Sequence, residues 1–177
     1  MANITVEQIE NIIIDAGVIY KNYGEADQEI LAPCRGDNVF NVEAEIREIE
    51  VNGVKGKTKG LRRKIREEAS ITTNLMDLSL ENLKLALTGS VLAEGKLSNG
   101  WTIPASDYIT NITIVGINMA GEYKKCTIYN ALSDEGIEVG FVEDDESVIG
   151  VTFSAHFDPE DADDKLWEIE DLTTLAD

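Results

Sequence analysis

A chain of 177 residues is long enough to bury one hydrophobic core without help from metals or disulfides. Its 43% apolar and 28% charged content excludes a wholly disordered or collagen-like polymer. With 15 Lys and Arg against 34 Asp and Glu the net charge is −19, so the chain repels nucleic acid phosphates wherever its few cations are not gathered.

Taken in order, Val6, Ile9, Ile12 and Ile13 have the spacing of a short helix, and a strand is predicted over residues 12–20. Phe40, Val42, Ala44 and Ile46 then alternate with Asn41, Glu43, Glu45 and Arg47, the mark of a strand with one dry and one wet face. The parity flips at Ile49 and Val51, which predicts a bulge or bend near Glu48 within a strand over 40–51. Ala69, Ile71, Thr73 and Leu75 alternate with Ser70, Thr72 and Asn74, giving a partner strand over 65–75. Between the two lies NGVKGKTKGLRR, residues 52–63, which reads as a long cationic hairpin loop. Lys55, Lys57, Lys59, Arg62, Arg63, Lys64 and Arg66 are seven of the 15 cations, so the positive charge is concentrated there. Divided after Thr88, the first part carries −4 and the second −15, a layout suited to a subunit that meets copies of itself through opposite signs.

Leu80, Leu83 and Leu87, with Ala86 alongside, predict one helix, capped by Asp77 or Ser79 and ended by Gly89. Strands follow over 91–97, 101–104, 109–117, 123–129 and 137–142, with Asn99-Gly100 as a tight turn. Over 148–157, Ile149, Val151, Phe153, Ala155 and Phe157 share one face, and Gly150, Thr152, Ser154 and His156 the other. The acidic tail, residues 158–177, holds DPEDADD and then Leu166, Trp167, Ile169 and Leu172; it reads as a docking arm or a final strand. The expected architecture is mainly β, a single-domain β-sandwich or barrel with one flanking helix and a long hairpin loop.

Little in the chain points to catalysis. Gly56-Lys57-Thr58 lacks the earlier glycine of a phosphate-binding loop, because position 51 is Val51, and strands rather than a helix are expected around it. His156 is the single histidine, so no mechanism needing two imidazoles is open. Asp158, Glu160, Asp161, Asp163 and Asp164 lack the spacing, central glycine and closing glutamate of a calcium loop. Cys34 and Cys126 have no metal-ligand spacing and fit two thiols in a reducing compartment. Asn3-Ile-Thr5 and Asn111-Ile-Thr113 match the glycosylation pattern, but no basic stretch precedes the first apolar run. No segment reaches the ~18 apolar residues of a membrane span. The expectation is a protein with no catalytic residues, no cofactor and no metal site. A β-sandwich carbohydrate-binding module and a hydrolase using paired carboxylates are the rivals of different class.

Four segments occur in a familiar order: DAGVIYKNYGE at 15–25, RGDNVFNVEAEIREIEVNGVKGKTKGLRRK at 35–64, the helix SLENLKLAL at 79–87, and VTFSAHFDPED at 151–161. In this order the chain resembles the tail tube (major tail) proteins of long-tailed bacteriophages and of phage-like particles. The resemblance implies a tail-tube-type β-sandwich that forms six-membered rings, stacked into a hollow conduit for DNA. Neighbouring subunits would join sheets into an inner barrel, and the loop at 52–63 would reach the next ring. The inter-ring residues would be Lys55, Lys57, Lys59, Arg62, Arg63 and Lys64, meeting Glu143, Asp144, Asp145 and Glu146 or the DPEDADD cluster. The lumen face would be Asn41, Glu43, Glu45, Arg47, Ser70, Thr72 and Asn74, its glutamates keeping DNA from sticking. Implied partners are copies of itself and the tape-measure, tail-tip, chaperone and tail-terminator proteins, with DNA only in transit and no membrane. Implied locations are the virion tail and, before assembly, the host cytoplasm; the tube of a contractile injection or secretion apparatus is the related alternative.

Overall fold

The computed structural model describes residues 4–140, 143, 146–160 and 165–175. The chain begins with a short helix α1 (Val6–Glu10), started by a reciprocal cap in which Thr5 Oγ1 accepts from Gln8 N and Gln8 Oε1 accepts from Thr5 N. That cap, together with Gly17 at φ +72°, overrides the strand expected over 12–20; the first strand, β1, is Val18–Lys21. A two-residue strand β2 (Glu29–Ile30), not anticipated from the pattern, pairs with β1. The long hairpin consists of β3 (Val39–Glu48) and β4 (Arg62–Leu75).

Helix α2 (Leu80–Ala86) stands where expected. Ser79 Oγ accepts from Asn82 N, and Asp77 Oδ1 accepts from Ser79 N, so both predicted capping residues take part. Its far end is tied down by Ser133, whose Oγ donates to the Ala86 carbonyl at 3.0 Å. A small hairpin of β5 (Val91–Ala93) and β6 (Lys96–Ser98) replaces the single strand predicted over 91–97. Glu94 and Gly95 both take positive φ, the signature of a tight hairpin turn, so the turn falls there and not at Asn99-Gly100. Residues 101–104 form no strand, and a Cβ at Gly100 would collide with the Gly89 carbonyl.

Strands β7 (Ile109–Ile117), β8 (Tyr123–Ser133), β9 (Ile149–Ser154) and β10 (Trp167–Leu172) complete the fold. β7 matches its prediction, β8 runs four residues further, and residues 137–140 make only a bridge from Val139 to Ile149. The tail thus supplies a final strand. β10 pairs with β8, placing Glu170 opposite Lys125 and Asp171 opposite Lys124, with ion pairs of 2.8 and 2.5 Å.

The antiparallel strands run β2-β1-β7-β8-β9-β4-β3, with β10 on the other side of β8. β8 turns the sheet into two layers: its first part lies between β7 and β10, and its end, at Leu132 and Ser133, pairs with β9. The layers share a core of Ile19, Ile112, Ile114 and Ile128 from one side and Ile71, Leu75, Val151 and Phe153 from the other, with Ala86 of α2. Each such large side chain contributes about 1.5–3 kcal/mol by leaving water.

Candidate functional site

β4 is 14 residues long, but β9 covers only Ser70–Leu75. From Arg62 to Glu68 its sole strand partner is β3, whose opposite edge pairs with no described strand. The distal half of the hairpin is therefore a two-stranded ribbon with both edges open, an arrangement that is marginal in water on its own. Its register shifts between Glu45 and Ile46: Glu45 pairs with Arg66 and Ile46 with Lys64, leaving Ile65 as the extra residue. The bulge predicted near Glu48 within the 40–51 strand is not there: β3 alternates without a break and ends at Glu48, and the extra residue lies on its partner β4.

Asn41, Glu43, Glu45 and Arg47 on β3 and Ser70, Thr72 and Asn74 on β4 occupy one face, as the alternation requires. Across that face Asn41 pairs with Ser70 and Ser70 with Ser154, while Thr72 and Thr152 meet through their hydroxyls at 3.1 Å. Two residues of the same face escaped the sequence reading: Arg66 and Glu68, joined at 2.6 Å, continue the alternation of Ser70 down β4. Glu43 stands opposite Glu68, Glu45 opposite Arg66, and Arg47 opposite Arg63. The wet face thus changes sign along its length, with carboxylates nearer the body and cations nearer the tip.

The hairpin loop occupies residues 49–61. Lys55, Lys57 and Lys59 are exposed on it, whereas Arg62, Arg63 and Lys64, expected in the loop, belong to β4 and extend the ribbon. Lys64 is held by Glu67 at 2.7 Å, while Arg47, Lys55, Lys57, Lys59, Arg62 and Arg63 make no ion pair among the described residues. Gly56-Lys57-Thr58 leads into a strand, so no helix N-terminus stands ready to cradle a phosphate. Of the acids expected to meet this loop, Glu143 is exposed and Glu146 is bound by Arg35 at 2.8 Å. Asp144, Asp145, Asp161, Asp163 and Asp164 lie outside the described residues.

Beside the ribbon an open trough of about 690 Å³ is lined by Glu43, Glu68, Asp134, Ser154 and His156. His156 Nδ1 lies 3.2 and 3.1 Å from the carbonyls of Asn130 and Ser154, and Nε2 is 3.5 Å from Asp134 Oδ2. Among the described residues no three His, Cys, Asp or Glu gather as metal ligands. Among the described residues no helix is long and apolar enough to cross a membrane. Cys34 and Cys126 are free thiols, and burial pushes the Cys126 thiol up from its ordinary value. Asn111 of the glycosylation pattern is buried: its Oδ1 accepts from Tyr23 N at 2.8 Å.

No protein-family model matches the chain, and no curated protein matches it. Among solved structures it is similar to a chain in the tail of an empty gene transfer agent particle, computed with helical refinement in C6 symmetry, at 12% identity and a TM-score of 0.46. A chain in the virion of the native gene transfer agent particle is similar at 10% identity and the same TM-score. Each match covers 81% of this chain and 92% of the other. At that level of likeness they assign no function.

Proposed function

We propose that this chain is a non-enzymatic structural subunit that joins copies of itself into stacked, hexameric rings, forming the tail tube of a phage or phage-like particle through which DNA passes. The observation that carries the reading is the ribbon. Its strand edges are open, its wet face holds Asn41, Glu43, Glu45, Arg47, Ser70, Thr72 and Asn74, and the apolar Ala44, Ile46 and Ile65 are exposed on the ribbon. An isolated chain leaves those backbone groups and apolar side chains to water; neighbours that extend the sheet satisfy both. Closing such sheets into a barrel removes every open edge. The ordered segments at 15–25, 35–64, 79–87 and 151–161 support the same reading by their resemblance to tail tube proteins.

In this role Glu43, Glu45 and Glu68 line the lumen, where like charge lets DNA slide without adhering. Lys55, Lys57, Lys59, Arg62, Arg63 and Lys64 contact the neighbouring ring. Each exposed ion pair adds about 0.2–1 kcal/mol, and six copies per junction make the sum decisive. Tape-measure, tail-tip and terminator proteins set where the polymer starts and stops. The test is negative-stain electron microscopy of the concentrated protein, alone and with a tail-tip initiator. Annuli or tubes are expected, and a monomer at every concentration with no rings in either case overturns the reading.

A further inference from the structure

The ribbon needs a landing place, and the other end of the molecule has an uncovered apolar face. Six of the 11 residues from Ile4 to Ile14 are large and apolar, and all six are exposed: Ile4, Val6, Ile9, Ile12, Ile13 and Ile14. They are held in place rather than trailing free. Ile14 N donates to the Ile117 carbonyl, Met119 N to that of Ile12, and Ala120 N to that of Glu10, which fixes the segment along the β7–β8 turn. Met119, itself 53% exposed, extends the apolar surface. α1 buries no residue of its own, and among the described residues no element covers the exposed faces of these isoleucines.

Charge identifies the occupant. α1 itself carries Glu7 and Glu10, Asp15 follows it with its carboxylate bound to Gly17 N and Ile117 N, and the chain has no Lys or Arg before Lys21. The ribbon and its loop between Ile46 and Lys64 have seven cations against Glu48 and Glu50, interleaved with the exposed Ile46, Ile49, Val51 and Val54. Each surface is apolar with the opposite sign of charge, so each supplies what the other lacks.

Geometry prevents the two from meeting within one chain. Asn38 Nδ2 donates to the carbonyls of Ala16 and Gly17 at 2.9 and 3.2 Å, anchoring the start of β3 beside the N-terminal segment. β3 then runs ten residues away from it, roughly 30 Å at the usual strand rise. Complementary surfaces at opposite ends of one molecule make a head-to-tail contact that repeats without closing, the condition for a filament.

Resting on the tube reading, we propose that the ribbon tip of one copy docks on the N-terminal isoleucine face of a copy in the next ring, with Lys55, Lys57 and Lys59 against Glu7 and Glu10. This receiving surface differs from the acidic stretches at 143–146 and 158–164, of which Glu146 is already engaged by Arg35.

The experiment is a charge swap in the full-length protein, read by tube length in micrographs and by sedimentation. Lys55→Glu with Lys57→Glu and Lys59→Glu, or separately Glu7→Lys with Glu10→Lys, raises the protein concentration needed for tubes by roughly tenfold. The combined variant restores assembly toward the wild-type value. Carbodiimide coupling of wild-type tubes, followed by peptide mass spectrometry, links Lys55, Lys57 or Lys59 to Glu7 or Glu10 of another copy. Wild-type tubes with swaps that have no effect, with no rescue by the combination, or with links only to 143–146 or 158–164 overturn the docking and leave the tube reading standing. A wild-type protein that never polymerises overturns both.

Discussion

The two halves of the β3–β4 hairpin share strands but not surroundings. In the proximal half Ile71 and Leu75 are fully buried beside Phe153 and Ile149 of β9 and share one core with Ile19, Ile112 and Ile128 of the other layer, so the hairpin there is one wall of a finished core. In the distal half Ile46, which continues the alternation of β3, and the extra residue Ile65 stay at about half exposure, with no further strand of the described residues paired beside them. Periodicity is therefore necessary for a buried face but does not create one; a second layer must be present, and for the distal half that layer is supplied from outside. The difference separates what keeps the subunit folded from what makes it assemble.

The sharpest way to break the comparison is to remove the tip. Replacing residues 52–60 with a two-residue Asn-Gly turn is expected to leave thermal unfolding within about 0.5 kcal/mol of the parent, because no core side chain lies there. Stacked tubes should vanish from micrographs while single rings persist. Tubes of normal length would dismiss the loop from any role between rings.

Next in size is the core against the ribbon. Phe153→Ala deletes a fully buried ring and should lower stability by about 3–5 kcal/mol in urea titration. Ile46→Ala and Ile65→Ala should each move the monomer by less than about 0.5 kcal/mol yet weaken assembly. Equal losses at all three positions would mean that the ribbon is already covered within the chain.

A smaller effect tests the layer formed by β7. Asn111 binds both backbone groups of the half-buried Tyr23 and accepts from Thr113, which meets Thr127 at 2.9 Å; Asn111, Thr113 and Thr127 are buried. Asn111→Ala strands these partners and should cost about 1–3 kcal/mol. Asn111→Ser, too short to reach both Tyr23 groups, should recover only part of the loss in the same titration.

That network also marks where sequence reading stopped. The strands with one wet face were legible because solvent enforces period two, as at Phe40–Arg47 and Ile149–Ser154. β7 was placed correctly, but burial of its second face was not, since Asn111 and Thr113 look like surface residues until Tyr23 folds over them. Local chemistry misled at three places. Asn99-Gly100 has the composition of a hairpin turn, yet Gly100 serves a close approach to Gly89 and the turn fell to Glu94-Gly95. Residues 12–14 have strand composition, but the Thr5 and Gln8 cap starts a helix just upstream. Arg62–Lys64 were assigned to the loop because a run of cations resembles one; as ribbon residues they pair with Glu48, Arg47 and Ile46. The candidate lumen face was readable as a face but not as a boundary, and Arg66 and Glu68 were left out although the same alternation includes them.

The smallest expected effect concerns β10, an edge strand that, unlike β3, is fastened by charges of its own chain. Lys165 hydrogen-bonds Glu168 at 2.9 Å and holds its carboxyl below the ordinary value, with Lys125 and the Tyr129 hydroxyl adding to the pull against desolvation. A carboxylate whose affinity for protons is lower folded than unfolded stabilises the fold above its unfolded value, and the contribution fades as pH falls through the folded value. Lys165 is protonated throughout that acid window, so only the carboxylate titrates there. Lys165→Met should therefore lower the urea midpoint slightly at pH 7, and by progressively less as pH falls through the folded value of Glu168. Because the pair is exposed to solvent, 0.5 M salt should shrink the pH 7 difference. No difference at pH 7, or one that does not change with pH, would place the restraint on β10 in its strand hydrogen bonds to β8, and the two edges of the molecule would then differ only in having, or lacking, a neighbouring strand.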